Sequence, residues 1–235
     1  MKMAKNRGIL YEEKINRILR REKAQKPNFE PAGSDSNAPD AEIRVKGNDY
    51  KVEIKLDTKV DYGQGSLDYN LVKKKWIIAG AKTESAIQMA EFLSSIGVEK
   101  IVNQEWGRKG PPRKFTVDPK KFTKKDVDFD YTNFKDFFVH IPSNSVSKYY
   151  NSKNTYYMQI GGKKGLYYMG SDPAGLGVPE FKLKLKLRVR LKRGGSIPIY
   201  NYRFSTAIQS IAGTLSTSNK DLEDVKFVKQ IAGMV

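Results

Sequence analysis

From Phe181 to Lys192 apolar and charged residues alternate without a break. Phe181, Leu183, Leu185, Leu187, Val189 and Leu191 fall on one face, and Lys182, Lys184, Lys186, Arg188, Arg190 and Lys192 on the other. A period of two is that of a strand with one buried face. The same period runs from Ala41 to Val45 and resumes after Gly47-Asn48 through Leu56. Two such runs around a glycine-asparagine pair predict a tight hairpin with Gly47-Asn48 as its loop. In that register Val45 faces Tyr50, Ile43 faces Val52 and Ala41 faces Ile54, which makes one face wholly apolar. The other face sets Asp40 opposite Lys55 and Glu42 opposite Glu53.

Helical spacing marks other segments. Tyr11, Ile15, Ile18 and Leu19 predict a helix over 8–22, with Glu12 on the edge of its apolar stripe. Thr83 as N-cap, Ile87, Ala90 and Leu93 at helical spacing, and a closing Gly97 predict a second helix. Val98–Val102 is expected as a strand, 143–151 as a short helix and 219–232 as a closing amphipathic helix. Phe137–Ile141 and Tyr200–Phe204 read as strands. Tyr156–Ile160 and Gly165–Met169 flank Gly161-Gly162-Lys163-Lys164, a hairpin pattern. Residues 23–38, 107–125 and 170–179 lack a period and read as loops.

The 235 residues carry 43 Lys+Arg against 26 Asp+Glu, a formal charge of +17. Such an excess points to a polyanionic partner, with nucleic acid first, because neutralising phosphates releases counterions. No apolar run is long enough to span a membrane and no signal-peptide pattern is apparent, so a cytoplasmic setting, in a bacterial or phage-infected cell, is expected. There is no cysteine, which excludes disulfides and thiolate metal sites. His140 is the single histidine, so Ser-His or His-metal catalysis has almost no material.

The charged face of the hairpin does offer chemistry. Asp40, Glu53 and Lys55 converge within about 5–7 Å on such a ribbon. Two carboxylates suit a hard divalent cation such as Mg²⁺, and the ammonium suits an attacking water or the charge developing on phosphate. The alternative is an amphipathic hairpin whose charged face is simply solvated. Asp35, in the loop Gly33–Ala38 whose backbone amides suit a phosphate, is a rival to Asp40 but lacks its strand phase.

Pro39-Asp40, a spacer and Glu53-Ile54-Lys55 resemble the PD-(D/E)XK nuclease superfamily. The resemblance implies an α/β fold of restriction-endonuclease type, with a central mixed sheet flanked by helices in residues 1–105 and a basic, β-rich extension in 106–235. It implies that Asp40, Glu53 and the carbonyl of Ile54 bind Mg²⁺, with Mn²⁺ as a substitute, and that Lys55 positions the water. Glu12, in Gly8-x-x-Tyr11-Glu12-x-x-Ile15, is similar to a first-helix glutamate that faces the metal. Gln64, between Gly63 and Gly65, is similar to a glutamine that holds water or phosphate, although its spacing to Tyr69 departs from the RecB-like branch.

The activity so implied is Mg²⁺-dependent endonucleolytic hydrolysis of DNA, leaving a 5′-phosphate, by a homodimer if both strands of a duplex are cut. The cations of 181–192, with Arg108, Lys109 and Arg113 in the basic 107–125 segment, are the expected contacts to the DNA backbone. An edge strand protected by lysines is the other reading of 181–192. Tyr149, Tyr150, Tyr156, Tyr157, Tyr167 and Tyr168 suit either base stacking or a core. Two other functions stay open: a non-catalytic nucleic-acid-binding protein, and a nuclease or binding factor directed to RNA.

Overall fold

The computed structural model describes residues 6–31, 38–193, 201–211 and 215–234. Asp35 and Tyr200 lie outside them. The fold is mixed α/β and divides into two compact units, Met1–Val60 with Pro142–Lys184 and Ser210–Val235, and Asp61–Ile141 with Leu185–Gln209. The expected boundary near residue 105 is therefore replaced by an insertion: the chain leaves the first unit after Val60 and returns to it twice.

In chain order, α1 (Arg7–Arg21), β1 (Ala41–Val45) and β2 (Asn48–Lys55) open the first unit. The second unit takes β3 (Asp61–Asn70), β4 (Lys75–Ile78), α2 (Glu84–Ser95), α3 (Val98–Trp106), α4 (Arg113–Thr116), α5 (Lys124–Asn133) and β5 (Phe137–Ile141). Next come α6 (Ser145–Ser152), β6 (Thr155–Ile160) and β7 (Gly165–Tyr168), followed by β8 (Leu185–Arg193), β9 (Tyr202–Ser210) and α7 (Val225–Ala232).

The sheet of the first unit has the order β1-β2-β6-β7. Its outer pairs are antiparallel, while β2 and β6 run parallel. Ile15 and Leu19 of α1 and Phe227, Val228 and Ile231 of α7 share one core with Ala41, Ile43, Val45, Val52 and Ile54. Each such side chain contributes about 1.5–3 kcal/mol on full burial. The Asn6 side chain caps α1, accepting from the Gly8 amide at 3.1 Å.

The hairpin forms, but its register differs from the expected one. Lys46 and Gly47 are the loop, with φ of 49° and 77°, and the pairs are Val45 with Asn48, Ile43 with Tyr50 and Ala41 with Val52. Positive φ at both central positions is the type I′ requirement, and glycine serves it best in second place. The ladder is thereby offset by two residues. An even offset leaves every side chain on its expected face, and it moves Asp40 from a position opposite Lys55 to one opposite Glu53.

In the second unit the sheet order is β4-β3-β9-β8-β5. Trp76 anchors its core, with ring centroids 4.8 Å from Phe204, 5.1 Å from Trp106 and 5.4 Å from Phe134. Residues 61–70 form strand β3, and two expectations are corrected here. Val98–Val102 begins a helix rather than a strand, because Val98, Val102 and Trp106 recur every four residues and are all buried. The segment 107–125 includes α4 and the start of α5, whose capping box joins Thr123 and Asp126.

The alternating segment is regular only from Leu185, although Phe181 and Leu183 are also buried. Since β8 lies between β9 and β5, it is not the edge strand that the protective-lysine reading needs. His140 is exposed and stacks on Phe138 at 6.2 Å. No helix among the described residues is long and apolar enough to cross a membrane.

Candidate active site

In the observed register, the hydrogen-bonded pair after Ala41 and Val52 would be Pro39 and Ile54. Proline has no N–H, so that pair cannot close on both sides. The Ile54 N–H instead donates to Asp40 Oδ2 at 2.8 Å. In an extended strand the C=O of Ile54 points to the same edge as its N–H, toward the place where β1 has ended. The proline-aspartate pair thus opens a gap in the ladder and sets a carboxylate and a backbone carbonyl at its rim.

Glu53 and Lys55, two residues apart on β2, share the opposite face from the core. The Lys55 ammonium forms an ion pair with Glu53 Oε1, and the Tyr150 hydroxyl of α6 donates to the same oxygen at 2.9 Å. Asn16 of α1 holds the backbone around the acids: its Nδ2 donates to the Asp40 carbonyl at 2.8 Å and to the Glu12 carbonyl at 3.0 Å. Gln25 Nε2 in turn donates to Asn16 Oδ1 at 2.9 Å and to the Glu42 carbonyl at 3.2 Å.

The electrostatics follow from three acids grouped around one ammonium. Burial, then the charge of Glu53, pushes the Asp40 carboxyl up to about 7, although Lys55 and the Ile54 amide pull the other way. Burial also raises Glu12, helped by Glu53 and opposed by Lys55. For Lys55 burial works against the charged form, but Glu53, Asp40 and Glu12 outweigh it, so the side chain is held protonated more firmly than a free lysine. Burial, with Glu53 adding to it, raises Tyr150 well above the usual phenol value and keeps it a donor.

A hard cation fits this donor set, since it would relieve the repulsion between Asp40 and Glu53 and would find oxygen ligands in both acids and in the Ile54 carbonyl. Among the described residues no three Asp, Glu, His or Cys side chains gather closely enough to hold a metal ion as a group. Glu12, half-buried on α1, adds its charge to those of Asp40 and Glu53 in the field of the site. Two protein carboxylates with water completing the shell is ordinary for Mg²⁺.

Gln64 belongs to the second unit, exposed on β3. The cations of 181–192 are largely engaged within the protein. Arg188 pairs with Asp136 at 2.6 Å, Arg190 with Asp61 at 3.5 Å and Lys182 with Glu180 at 2.8 Å, while Lys186 lies over the Phe138 ring at 5.1 Å. Lys184 is exposed and Lys192 half-buried. In the 107–125 segment Arg108 is exposed, Lys109 donates to the Asn133 carbonyl at 2.6 Å, and Arg113 sits over Phe129 at 4.6 Å. Tyr149, Tyr150, Tyr157 and Tyr167 are buried core residues rather than a stacking surface.

Asn16, Gln25 and Tyr150 were not among the expected site residues. Asn16 carries a readable signal, a polar residue on the buried arc of α1 between Ile15 and Leu19. Tyr150 carries none, because its partner lies 97 positions away.

No protein-family model matches the chain, and no curated protein matches it. Among solved structures, the HhaI endonuclease in complex with DNA is similar to this chain, with 11% identity and a TM-score of 0.45 over 96% of this chain and 99% of that one.

Proposed function

We propose that this protein is a divalent-metal-dependent endodeoxyribonuclease of the PD-(D/E)XK type. The reading is carried by one observation: just beyond the last hairpin pair Asp40 accepts from the Ile54 N–H, where the charges of Glu53 and Lys55 act on it, and Lys55 is ion-paired with Glu53. The charge of +17 supports a phosphate-rich substrate, and duplex DNA cut by a homodimer is the form we assign.

Asp40, Glu53 and the Ile54 carbonyl would hold Mg²⁺, or Mn²⁺ in its place. When bound, the ion supplies a water of lowered pKa and positive charge at the scissile phosphate. The chain's own residues do the rest. Lys55, kept charged by its acidic neighbours, orients the attacking water and faces the negative charge that grows on the phosphate. Tyr150 shares Glu53 Oε1 with Lys55, which fixes the carboxylate's rotamer. Asn16 fixes the backbone of Asp40 against α1.

The test incubates supercoiled plasmid with wild type, Asp40→Ala, Glu53→Ala and Lys55→Ala, in Mg²⁺, Mn²⁺ or EDTA. Nicked or linear product from wild type in metal alone, lost in all three variants while DNA affinity is kept, is the expected result. A wild type that binds DNA and cuts no nucleic acid with either metal overturns the enzyme reading and leaves a binding protein. Competition among duplex DNA, single strands and RNA at fixed salt separates the DNA and RNA readings.

A further inference from the structure

The β6–β7 and β3–β4 hairpins both turn through four residues. The first closes on Ile160 and Gly165 around Gly161-Gly162-Lys163-Lys164, the second on Asn70 and Lys75 around Leu71-Val72-Lys73-Lys74. Both loops end in two lysines, and each holds one lysine at positive φ, 64° at Lys163 and 49° at Lys74. They differ in the first two places. Glycine has a turn role there, whereas leucine and valine have none. Neither apolar side chain folds back onto a core, for Leu71 is 49% and Val72 92% exposed. Exposed apolar residues scattered singly are ordinary. Two in succession at a hairpin tip break the local rule, and such breaks gather at functional sites.

The tip is held from below. The Asn70 side chain accepts from the Lys73 N–H at 2.8 Å, and Tyr69 and Trp76, the next pair down the ladder, meet edge to face at 5.6 Å. Asn103 of α3 accepts from the Trp76 N–H at 2.9 Å and donates to the Trp76 carbonyl at 2.8 Å, which ties the outer edge of β4 to the helix. Leu71 and Val72 therefore stand on a fixed base.

Charge selects the partner. Lys73, Lys74 and Lys75 are exposed, and among the described residues none of them is in an ion pair. The loop holds no acid, and Asp68 sits further down the ladder, opposite Ile77. An apolar pair beside three cations suits a surface that joins phosphates to a stacked, flat interior, which is a nucleic-acid duplex. Apolar side chains inserted between base steps are a known way of gripping one. An anionic bilayer shares the charge but gives two aliphatic side chains little hold. We propose that the β3–β4 tip is a wedge that enters duplex DNA, with Leu71 and Val72 between neighbouring base pairs and Lys73, Lys74 and Lys75 on the flanking phosphates. The choice of DNA rests on the function proposed above.

The test uses the full chain in EDTA, where binding is separate from cleavage. Closed circular plasmid is incubated with the protein and a topoisomerase that needs no metal, so that untwisting by a wedge is captured as a change in linking number. The variants are Val72→Ser, Leu71→Ser with Val72→Ser, and Lys73→Gln with Lys75→Gln, each compared with wild type at equal DNA occupancy. All replace exposed side chains, so all should melt like wild type.

A linking-number change by wild type that is largely lost in both serine variants, with a slope of log K against log salt lowered by about 0.9 for each lysine replaced, supports the wedge. Wild type that binds the plasmid without changing its linking number, a change that the serine variants retain, or a salt slope that the lysine variant retains overturns the wedge and leaves the nuclease reading standing. Serine variants that lose only binding to phosphatidylserine vesicles also overturn it and make the tip a membrane contact. Wild type that binds no DNA at all overturns both readings.

Discussion

The hairpin strand β2 and the long strand β8 are both central in their sheets, and both alternate apolar with charged residues, yet their charged faces are put to different use. On β2, Glu53 and Lys55 carry opposite signs two residues apart and satisfy each other. With Asp40 from across the ladder they form a group with one cation and an excess of acid. On β8 the neighbouring charges all have one sign, so each needs its own relief, and Arg188 and Arg190 find it in Asp136 and Asp61. Mixed signs on a face concentrate into a site, whereas a single sign disperses into separate structural pairs. The contrast is the reason the proposed site is put on β2, while the cations of β8 serve mainly the fold.

The largest expected effect breaks this comparison if it fails. Asp40→Ala, Glu53→Ala or Lys55→Ala should each lower metal-dependent DNA cleavage by about 10²–10³-fold or more, since preorganised charge at the reacting phosphate is lost. Arg190→Ala should leave turnover at saturating DNA within a factor of about two, because its pairing is internal. Single-turnover rates at saturating protein would measure both. Equal losses from the two strands would show that the distinction drawn between their charged faces is false.

What the sequence made legible is explained by the same geometry. A period of two assigns faces, and the faces of β1 and β2 were right even though the loop was misplaced, because the offset was even. The partner across the ladder is set by the loop, however, and Lys46-Gly47 competes with Gly47-Asn48 for that role on equal composition. Short apolar runs carry less information. Val98–Val102 fits a strand until Trp106 is included and the four-residue spacing emerges. Contacts made by returning chain have no local trace, and so the hydrogen bond from Tyr150 to Glu53 and the interruption of the first unit after Val60 could not be read in advance.

Asp40 provides the next test, through its raised pKa. An unfolded aspartate titrates near pH 4, while burial, with the charge of Glu53, pushes the Asp40 carboxyl of the folded protein up to about 7. Between those values the folded state binds the extra proton, so stability falls as pH rises through that window. Asp40→Asn, whose amide oxygen can still accept from the Ile54 N–H, removes the slope. In EDTA the variant should be more stable than wild type at pH 8 by about 2–4 kcal/mol, with most of that advantage gone at pH 5. Urea unfolding at the two pH values measures it, and a difference that does not change with pH would show that Asp40 is not the strained acid of the group. Added Mg²⁺ should then stabilise wild type and not the variant.

A smaller effect probes how the acids are held. Asn16→Ala leaves the Asp40 carbonyl without the amide that now meets it, a loss of about 1–3 kcal/mol. Cleavage should fall as well, in kcat more than in KM, because Asn16 touches the backbone of the site and not the substrate. Asn16→Asp, which lacks the donor but keeps the shape, should not rescue it, and a rescue would mean that packing alone was at stake.

The smallest effects come from within the alternating segment itself. Arg190 is 17% and Asp61 15% exposed in their side chains, and Gln209 also donates to Asp61, at 2.7 Å. Arg190→Ala would leave a half-buried carboxylate with its cation removed, at a cost of about 1–2 kcal/mol. Lys182, 76% exposed beside Glu180, should give no measurable change in the unfolding midpoint when replaced by alanine. If Lys182 instead meets a DNA phosphate, its loss lowers the slope of log K against log salt by about 0.9, while Arg190→Ala leaves that slope unchanged. A salt slope that shifts with Arg190 and not with Lys182 would reverse the division within 181–192 between cations that serve the fold and cations open to a ligand.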